Sequence, residues 1–321
     1  MDLIYTNAKQ VDQGVLGAYA FDLSFGSEEN DFEMTLGADA PSLEFGAVVY
    51  IEGTEYGGIV DAKKTHTNNE DITYIGRTWH GILNSKVIEP EYGEDYFIAS
   101  GDANDVLSRL IDRLGLSELF AVTTESSGVN VSRYQFNRYC KAYDGIKAML
   151  AASGAKLNIA WKNRSVHLSA VPIVDYTEYP IDGDIATLTV EKHEKKVNHL
   201  ICLGRGELSE REVIHLYVDR FGKIGDTQHY TGIDEVADTY DYGSAESSDE
   251  LRKGGIERLT ELRSNDKADI LLAEAEGLSY DIGDIVGASE LKSGVSVAAT
   301  VTQKIVKISN GAISTEYMTG G

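Results

Sequence analysis

The sequence is short of cysteine, proline, tryptophan and positive charge, and each shortage excludes something. There are 2 Cys in 321 residues, Cys140 and Cys202, in unrelated segments beside apolar neighbours. No CxxC pair and no disulfide framework can be built from them, and two buried free thiols in a reducing compartment are expected. With 4 Pro against 32 Gly, tight turns are expected and rigid linkers are not. Lys and Arg total 29 against 52 Asp and Glu, a net charge of −23 spread along the chain. Free nucleic acid is disfavoured as a ligand, because Lys and Arg must replace the counterions of phosphate. Anionic membranes are repelled for the same reason, although solubility alone also accounts for such a charge. No stretch approaches the roughly 20 apolar residues that span a bilayer. Met1 to Tyr5 has no basic region followed by an apolar run, so no signal peptide is expected.

Motifs for chemistry are also missing. There is no GxxxxGK[ST] phosphate loop and no GxSxG elbow. Gly204-Arg205-Gly206 follows an apolar run, but no third glycine opens a helix after it. His193 and His199 lie six apart in an expected strand and turn, and the second His of HExxH is absent after Glu194, so both read as solvated or edge histidines. The acidic residues Asp234, Glu235, Asp238 and Asp241 lack the calcium-loop pattern and read as a solvated surface loop spanning Asp234 to Asp249. With 52 carboxylates, a catalytic pair cannot be picked out by spacing along the chain. Trp79-His80 and Trp161 suit sugar stacking, but Trp161 alternates with Ile159 and reads as core. No catalytic, cofactor-binding or metal residue is therefore predicted.

What the chain does have is tyrosine, 18 residues against 8 Phe and 2 Trp. Tyr suits either a surface buried by a partner and wet at its rim, or the edges of sheets. It also has β patterning. Phe21, Leu23 and Phe25 alternate with polar residues, and so do Phe32, Met34 and Leu36 beyond a polar turn, which predicts a hairpin with one buried face. At the other end, Val301, Lys304, Val306 and Ile308 share one side of a long strand. Asn310-Gly311 then provides a tight turn, and Ala312 to Tyr317 a closing strand. A short strand is expected over Tyr280 to Val286, and another from Ile270 to Ala275.

Between these β regions the periodicity turns helical. Asp102 to Leu114 carries Val106, Leu107, Leu110, Ile111 and Leu114 on one stripe, with Ser100 or Asp102 as cap and Gly115 as stop. A second helix spans about Lys141 to Ser153, followed by a hairpin turning at Asn163-Arg164. A third, Ser248 to Arg263, is expected to bury Leu251, Ile256, Leu259 and Leu262; its Gly254-Gly255 signals close backbone packing or a bend. The predicted class is a β-rich α+β protein. Two barrel-like antiparallel β domains, residues 1–87 and 176–321, flank an inserted α+β unit of two helices and a hairpin, residues 88–175.

In that order the elements resemble the tail-hub family of tailed phages and phage-derived contractile particles. Three places carry the resemblance. One is Gly58-Ile59-Val60 with the run Gly76-Arg77-Thr78-Trp79-His80-Gly81-Ile82-Leu83, similar to the family's G-R-x-x-x-G-x-L exit from the first β domain. Another is the helix Asp102 to Leu114 followed by Arg133-Tyr134 and the second helix. The third is Asn198 to Gly206, the charged strand Glu210 to Tyr217, and Ile282-Gly283-Asp284-Ile285-Val286. Gly76, Arg77, Gly81, Leu83, Arg133, Gly283, Asp284 and Val286 are thus the family-motif positions, structural rather than catalytic.

The resemblance implies a virion structural protein, the baseplate hub at a tail tip, of the Gram-positive defective-prophage type. It implies a homotrimer with pseudo-sixfold symmetry between the tail tube or distal tail protein and a spike. No cofactor is implied, nor the peptidase or fibre domain of longer relatives. DNA would pass through a channel lined by some of the acidic excess. A tail-associated cell-wall hydrolase and a surface-carbohydrate module are the competing expectations.

Overall fold

The computed structural model describes residues 1–66, 69–178, 181–182, 187–191, 195–263, 267–271, 279–290, 295–309 and 311–320. The protein is a β-rich α+β fold, as its patterning predicts. Strands Tyr19–Gly26 and Asp31–Leu36 pair antiparallel, with Phe21 opposite Met34 and Leu23 opposite Phe32. Their period-2 alternation sends these side chains and Phe25 into one core with Leu3, Val49 and Tyr74.

That hairpin lies inside a larger sheet, eleven-stranded among the described residues. On one side of it follow Asn69–Thr78, Gly57–His66, Val48–Ile51, Leu3–Thr6 and Asp12–Leu16. On its other side stands Val295–Ser309, from the far end of the chain. One edge of this 15-residue strand pairs with Ile285–Glu290 over its first part and with Tyr19–Gly26 over its second. Its opposite edge carries Ala312–Gly320, with a register irregularity between Val301 and Gln303. The sheet pairing thus joins residues of the first ninety to residues of the last forty. The C-terminal hairpin is present as the sequence predicts, with Gly311 at φ +81°; Asn310 lies outside the described residues.

After Asn69–Thr78 the chain enters a short helix that sequence patterning does not reveal, α1, Trp79–Asn84. Thr78 caps it, its hydroxyl accepting from the Gly81 amide at 3.3 Å. Helices α2, Ala103–Arg113, and α3, Ala142–Ala152, follow close to their predicted limits. Asp102, rather than Ser100, caps α2: it accepts from Asn104 N and from the amide and hydroxyl of Ser127. These donors, with the Ser126 hydroxyl, outweigh desolvation and bring the Asp102 carboxyl down to about 2. The expected hairpin is Ala155–Lys162 with Ser165–Pro172, turned by Asn163 and Arg164 at φ 51° and 66°. It gains a third strand that was not expected, Phe120–Val122, which pairs in parallel.

The last unit holds strands His199–Leu203, Val213–Val218, Ile224–Gly225 and Ala237–Asp241 in one sheet. Helix α4, Ser248–Arg263, covers one face of it. Three expectations are corrected here. The acidic stretch Asp234 to Asp249 is not simply a loop, because Ala237–Asp241 pairs in parallel with His199–Leu203. The pairing leaves the Asp241 side chain exposed and that of Asp238 half-buried. Ile256 is 36 % exposed, since the buried stripe of α4 runs through Leu251, Gly255 and Leu259. Gly254-Gly255 marks close packing: a Cβ at Gly255 would sit 2.4 Å from the Cys202 sulfur. Both cysteines are free thiols, but only Cys202 is fully buried; Cys140 is half-buried. Beyond these, the predicted strand near Ile270 is seen as Lys267–Leu271, and its continuation to Ala275 lies outside the described residues.

Candidate functional site

Among the described residues, a crevice of about 890 Å³ opens where three parts of the chain meet. The turn after Val48–Ile51 supplies Glu55 and Tyr56. Strand Ala155–Lys162 supplies Lys156. The C-terminal region supplies Asp281 and Tyr317. Beneath its surface runs a chain of alternating charges. Lys304 Nζ donates to Glu55 Oε1 at 2.6 Å and lies 3.6 Å from Asp281 Oδ1. Lys156 Nζ donates to Asp281 Oδ2 at 2.9 Å and to Asp284 Oδ2 at 2.7 Å. The remaining Asp284 oxygen accepts from Val174 N at 3.0 Å, so this fully buried carboxylate has partners on both oxygens.

These ionisations follow from the surroundings. Burial alone would lower the Lys304 pKa, but the Glu55 carboxylate, with Tyr56 and Tyr317, outweighs it and holds the pKa above the ordinary lysine value. Its ammonium also lies within 6 Å of the rings of Phe25, Tyr56 and Tyr317. Burial pushes the Asp281 carboxyl up, yet Lys304 and Lys156 together hold it below its usual range. His80 is driven the other way. Burial, then the charges of Lys304 and Lys147, lower it to about 3. It is a neutral ring stacked on Phe25 at 4.5 Å, and its 3.7 Å approach to Glu55 is therefore not an ion pair.

As chemistry, the crevice is a structural joint. A glycosidase needs one carboxyl kept protonated beside one ionised partner. Here Lys304 and Lys156 hold the Asp281 carboxyl below its usual range rather than raising it. Among the described residues, no group of three or more His, Cys, Asp or Glu is arranged to hold a metal ion. The tryptophans offer no sugar platform: Trp79 and Trp161 are buried, with ring centroids 5.1 Å apart. Three of the tyrosines serve neither expected use, since Tyr74, Tyr143 and Tyr280 are fully buried in the interior of this chain, whereas Tyr92, Tyr96 and Tyr139 are exposed.

The sequence-predicted positions fall in four places. Gly76 and Gly81 are contact points: a Cβ at Gly76 would meet Ile59 O at 1.9 Å, and one at Gly81 would meet Asn30 O at 2.0 Å. Arg77, between them, grips Asp61 with two hydrogen bonds of 2.8 and 2.9 Å, which together with its charge hold that carboxyl below its usual value. Leu83 is buried in the core that joins α1 to Trp161. Gly283 and Asp284 reach the crevice: Gly283 turns at φ +99° against Lys156, and its amide donates to Val301 O at 2.8 Å. Val286 is buried beside them in sequence. Arg133 stands apart, at φ 45° in the irregularity where Asn130–Gln135 pairs with Ile98–Asp102.

Lys304, Lys156, Glu55 and Asp281 were not singled out as a group. Of these four, the sequence pattern names only Lys304, with Val301, Val306 and Ile308 on one side of the long strand. His199 is a further correction: it is neither solvated nor idle, but 8 % exposed with both ring nitrogens engaged. His193 and Glu194 lie outside the described residues.

No family model matches the sequence, and no curated protein sequence does. Solved structures do match the fold over its whole length. The 43 kDa tail protein of prophage MuSo2 from Shewanella oneidensis superposes with TM-score 0.60 at 11 % identity, covering 100 % of this chain and 98 % of that one. Prophage tail protein gp18 from Listeria monocytogenes EGD-e gives 0.57 at 13 % identity, covering 100 % and 94 %. A chain of the phage P2 baseplate, in its activated conformation with Ca, gives 0.52 at 12 % identity, covering 99 % and 98 %. The fold is the one found in these phage tail and baseplate proteins.

Proposed function

We propose that this chain is a structural protein of a phage or prophage tail, and within it the central hub of the tail tip or baseplate. The observation that carries the reading is the end-to-end match of fold, 94 % or more of both chains, with tail proteins of two prophages and a baseplate chain. The ionic joint supports it, because it ties three chain regions together through Lys304, Lys156, Glu55 and Asp281. In this reading three copies form a ring of pseudo-sixfold symmetry. The tail tube or distal tail protein sits on one side and the spike or other baseplate proteins on the other. Residues 1–87, 88–175 and 176–321 are its three working parts. The motif positions from Gly76 to Leu83, with Arg133, Gly283, Asp284 and Val286, hold those parts in register rather than act on a substrate. The hub is of the Gram-positive defective-prophage type, assembled in the host cytoplasm and resident in the virion tail. It acts without a cofactor, a membrane or specific nucleic-acid contacts, and DNA passes through a channel of its own sign.

The test is mass in solution. Light scattering on the purified 35.0 kDa chain, alone and mixed with its neighbouring tail proteins, is expected to give a trimer. A chain that stays monomeric at high concentration and high salt, with and without those proteins, overturns the hub reading. Release of soluble fragments from purified cell wall would instead identify a hydrolase.

A further inference from the structure

Away from the crevice, on the sheet face opposite α4, two histidines and a glutamate are linked in series. His199 Nδ1 is 2.6 Å from Glu235 Oε1, and His199 Nε2 is 2.8 Å from His215 Nδ1. Tyr217 stacks on the His199 ring at 4.4 Å. Glu235 belongs to the segment before strand Ala237–Asp241, and it also accepts from Gln228 Nε2 at 3.0 Å. Asn198 anchors the same segment independently of charge: its side chain accepts from Val236 N at 3.0 Å and donates to Asp234 O at 2.8 Å. Other charged or titratable groups border the segment: Lys195, which donates to Ile233 O at 3.1 Å and lies 4.0 Å from Asp234; Arg263 of α4, which donates to Val197 O; and His229, next to Gln228 in sequence. The segment carries the turn Gly232–Asp234, whose Ile233 is 87 % exposed.

We propose that Glu235, His199 and His215 form a clasp that mild acid fastens, setting how firmly the Ile233 turn is held to the sheet. The proton count gives the mechanism. With both rings neutral, His199 Nδ1–H donates to Glu235, and His215 Nδ1–H donates to His199 Nε2. One added proton fits without breaking either link. It enters at Nε2 of His215, the nitrogen outside the series on an exposed residue, and the proton between the rings can then move across to His199. His199 becomes the cation, and its bond to the Glu235 carboxylate becomes charge-assisted on both sides. A second added proton has only one place left, where an N–H would face another N–H, so the pair holds one proton as a unit. Acidification therefore tightens the Glu235 tie until the carboxylate itself is protonated. This inference does not depend on the tail-hub reading.

The experiment uses the full chain. Histidine ring resonances and amide exchange are followed by NMR from about pH 8 to about pH 5, a window in which imidazoles titrate. The two rings are expected to take up one proton between them. The protection factor of the Val236 amide should rise over the same window by on the order of fivefold, the difference between a neutral and a charge-assisted hydrogen bond. Glu235→Gln and His199→Gln keep a hydrogen-bonding side chain and the Asn198 anchors, and should abolish the rise while circular dichroism stays unchanged. Protection that is flat or falls with acid in the parent chain overturns the proposal. So does uptake of one full proton by each ring, or a rise that survives both substitutions.

Discussion

Replacing Lys304 by Met tests whether the crevice is held together by its charges. Methionine keeps a flexible apolar stem of similar reach and deletes only the ammonium. The Lys304 side chain is 4 % exposed, so its loss leaves Glu55 and Asp281 facing each other without the cation between them. Removing one partner of a fully buried pair costs about 3–5 kcal/mol. Glu55 is 19 % exposed and Asp281 49 %, and water screens part of that cost, leaving about 2–3 kcal/mol. At roughly 2–4 °C per kcal/mol for a domain of a couple of hundred residues, the melting temperature should fall by about 4–12 °C. Calorimetry at neutral pH measures it.

Two companion measurements sharpen this test. Lys304→Met with Glu55→Gln removes the stranded charge, so the double variant should recover at least about 1 kcal/mol relative to the sum of the two single losses. The pH dependence has a definite sign. Lys304 is held above its ordinary value, so its contribution is complete below about pH 10 and is lost only as pH rises through the folded pKa. Asp281 is held below its ordinary value, so its contribution is present above about pH 4 and is lost as pH falls through the folded pKa. The gap between parent and variant should therefore be flat across neutral pH and close in strong acid. A melting temperature within about 1 °C of the parent, or strict additivity in the double variant, would refute the claim that the charges fasten the joint.

Three further outcomes are expected. The two tryptophans are both buried and stacked, so emission should be blue-shifted, resist acrylamide quenching and ignore added sugars; ready quenching would contradict the packing. Gly255→Ala should destabilise by about 1–3 kcal/mol in urea despite alanine's better helix propensity, because its Cβ collides with the Cys202 sulfur, and a neutral result would mean α4 stands off the sheet. Arg77→Ala should let the Asp61 carboxyl rise towards its ordinary value. It should cost no more than about 1 kcal/mol, because the pair is partly exposed, and that cost should vanish as pH falls through the folded Asp61 pKa; carboxyl NMR with acid unfolding checks both.

Local features were legible in the residues themselves. Alternation in Phe21 to Leu36 specified a hairpin, because a strand's side-chain period is two and a one-residue slip would expose every apolar side chain. Asp102 and Gly115 marked the ends of α2, because capping is settled by atoms two or three residues away. Lys304 was legible only together with Val301, Val306 and Ile308, as residues of one half-buried strand. The partners of those features were not legible. Nothing near Lys304 in sequence indicates that Glu55, 249 residues away, will neutralise it, or that Lys156 will bridge Asp281 and Asp284. Parallel pairing of the acidic strand Ala237–Asp241 and the third strand of the α+β unit were hidden for the same reason: backbone hydrogen bonds carry no side-chain pattern. Period and capping act over a few residues and are written in the chain, whereas charge neutralisation and strand partnership depend on which distant segments the folded core brings within about 3 Å of each other, the length of a hydrogen bond.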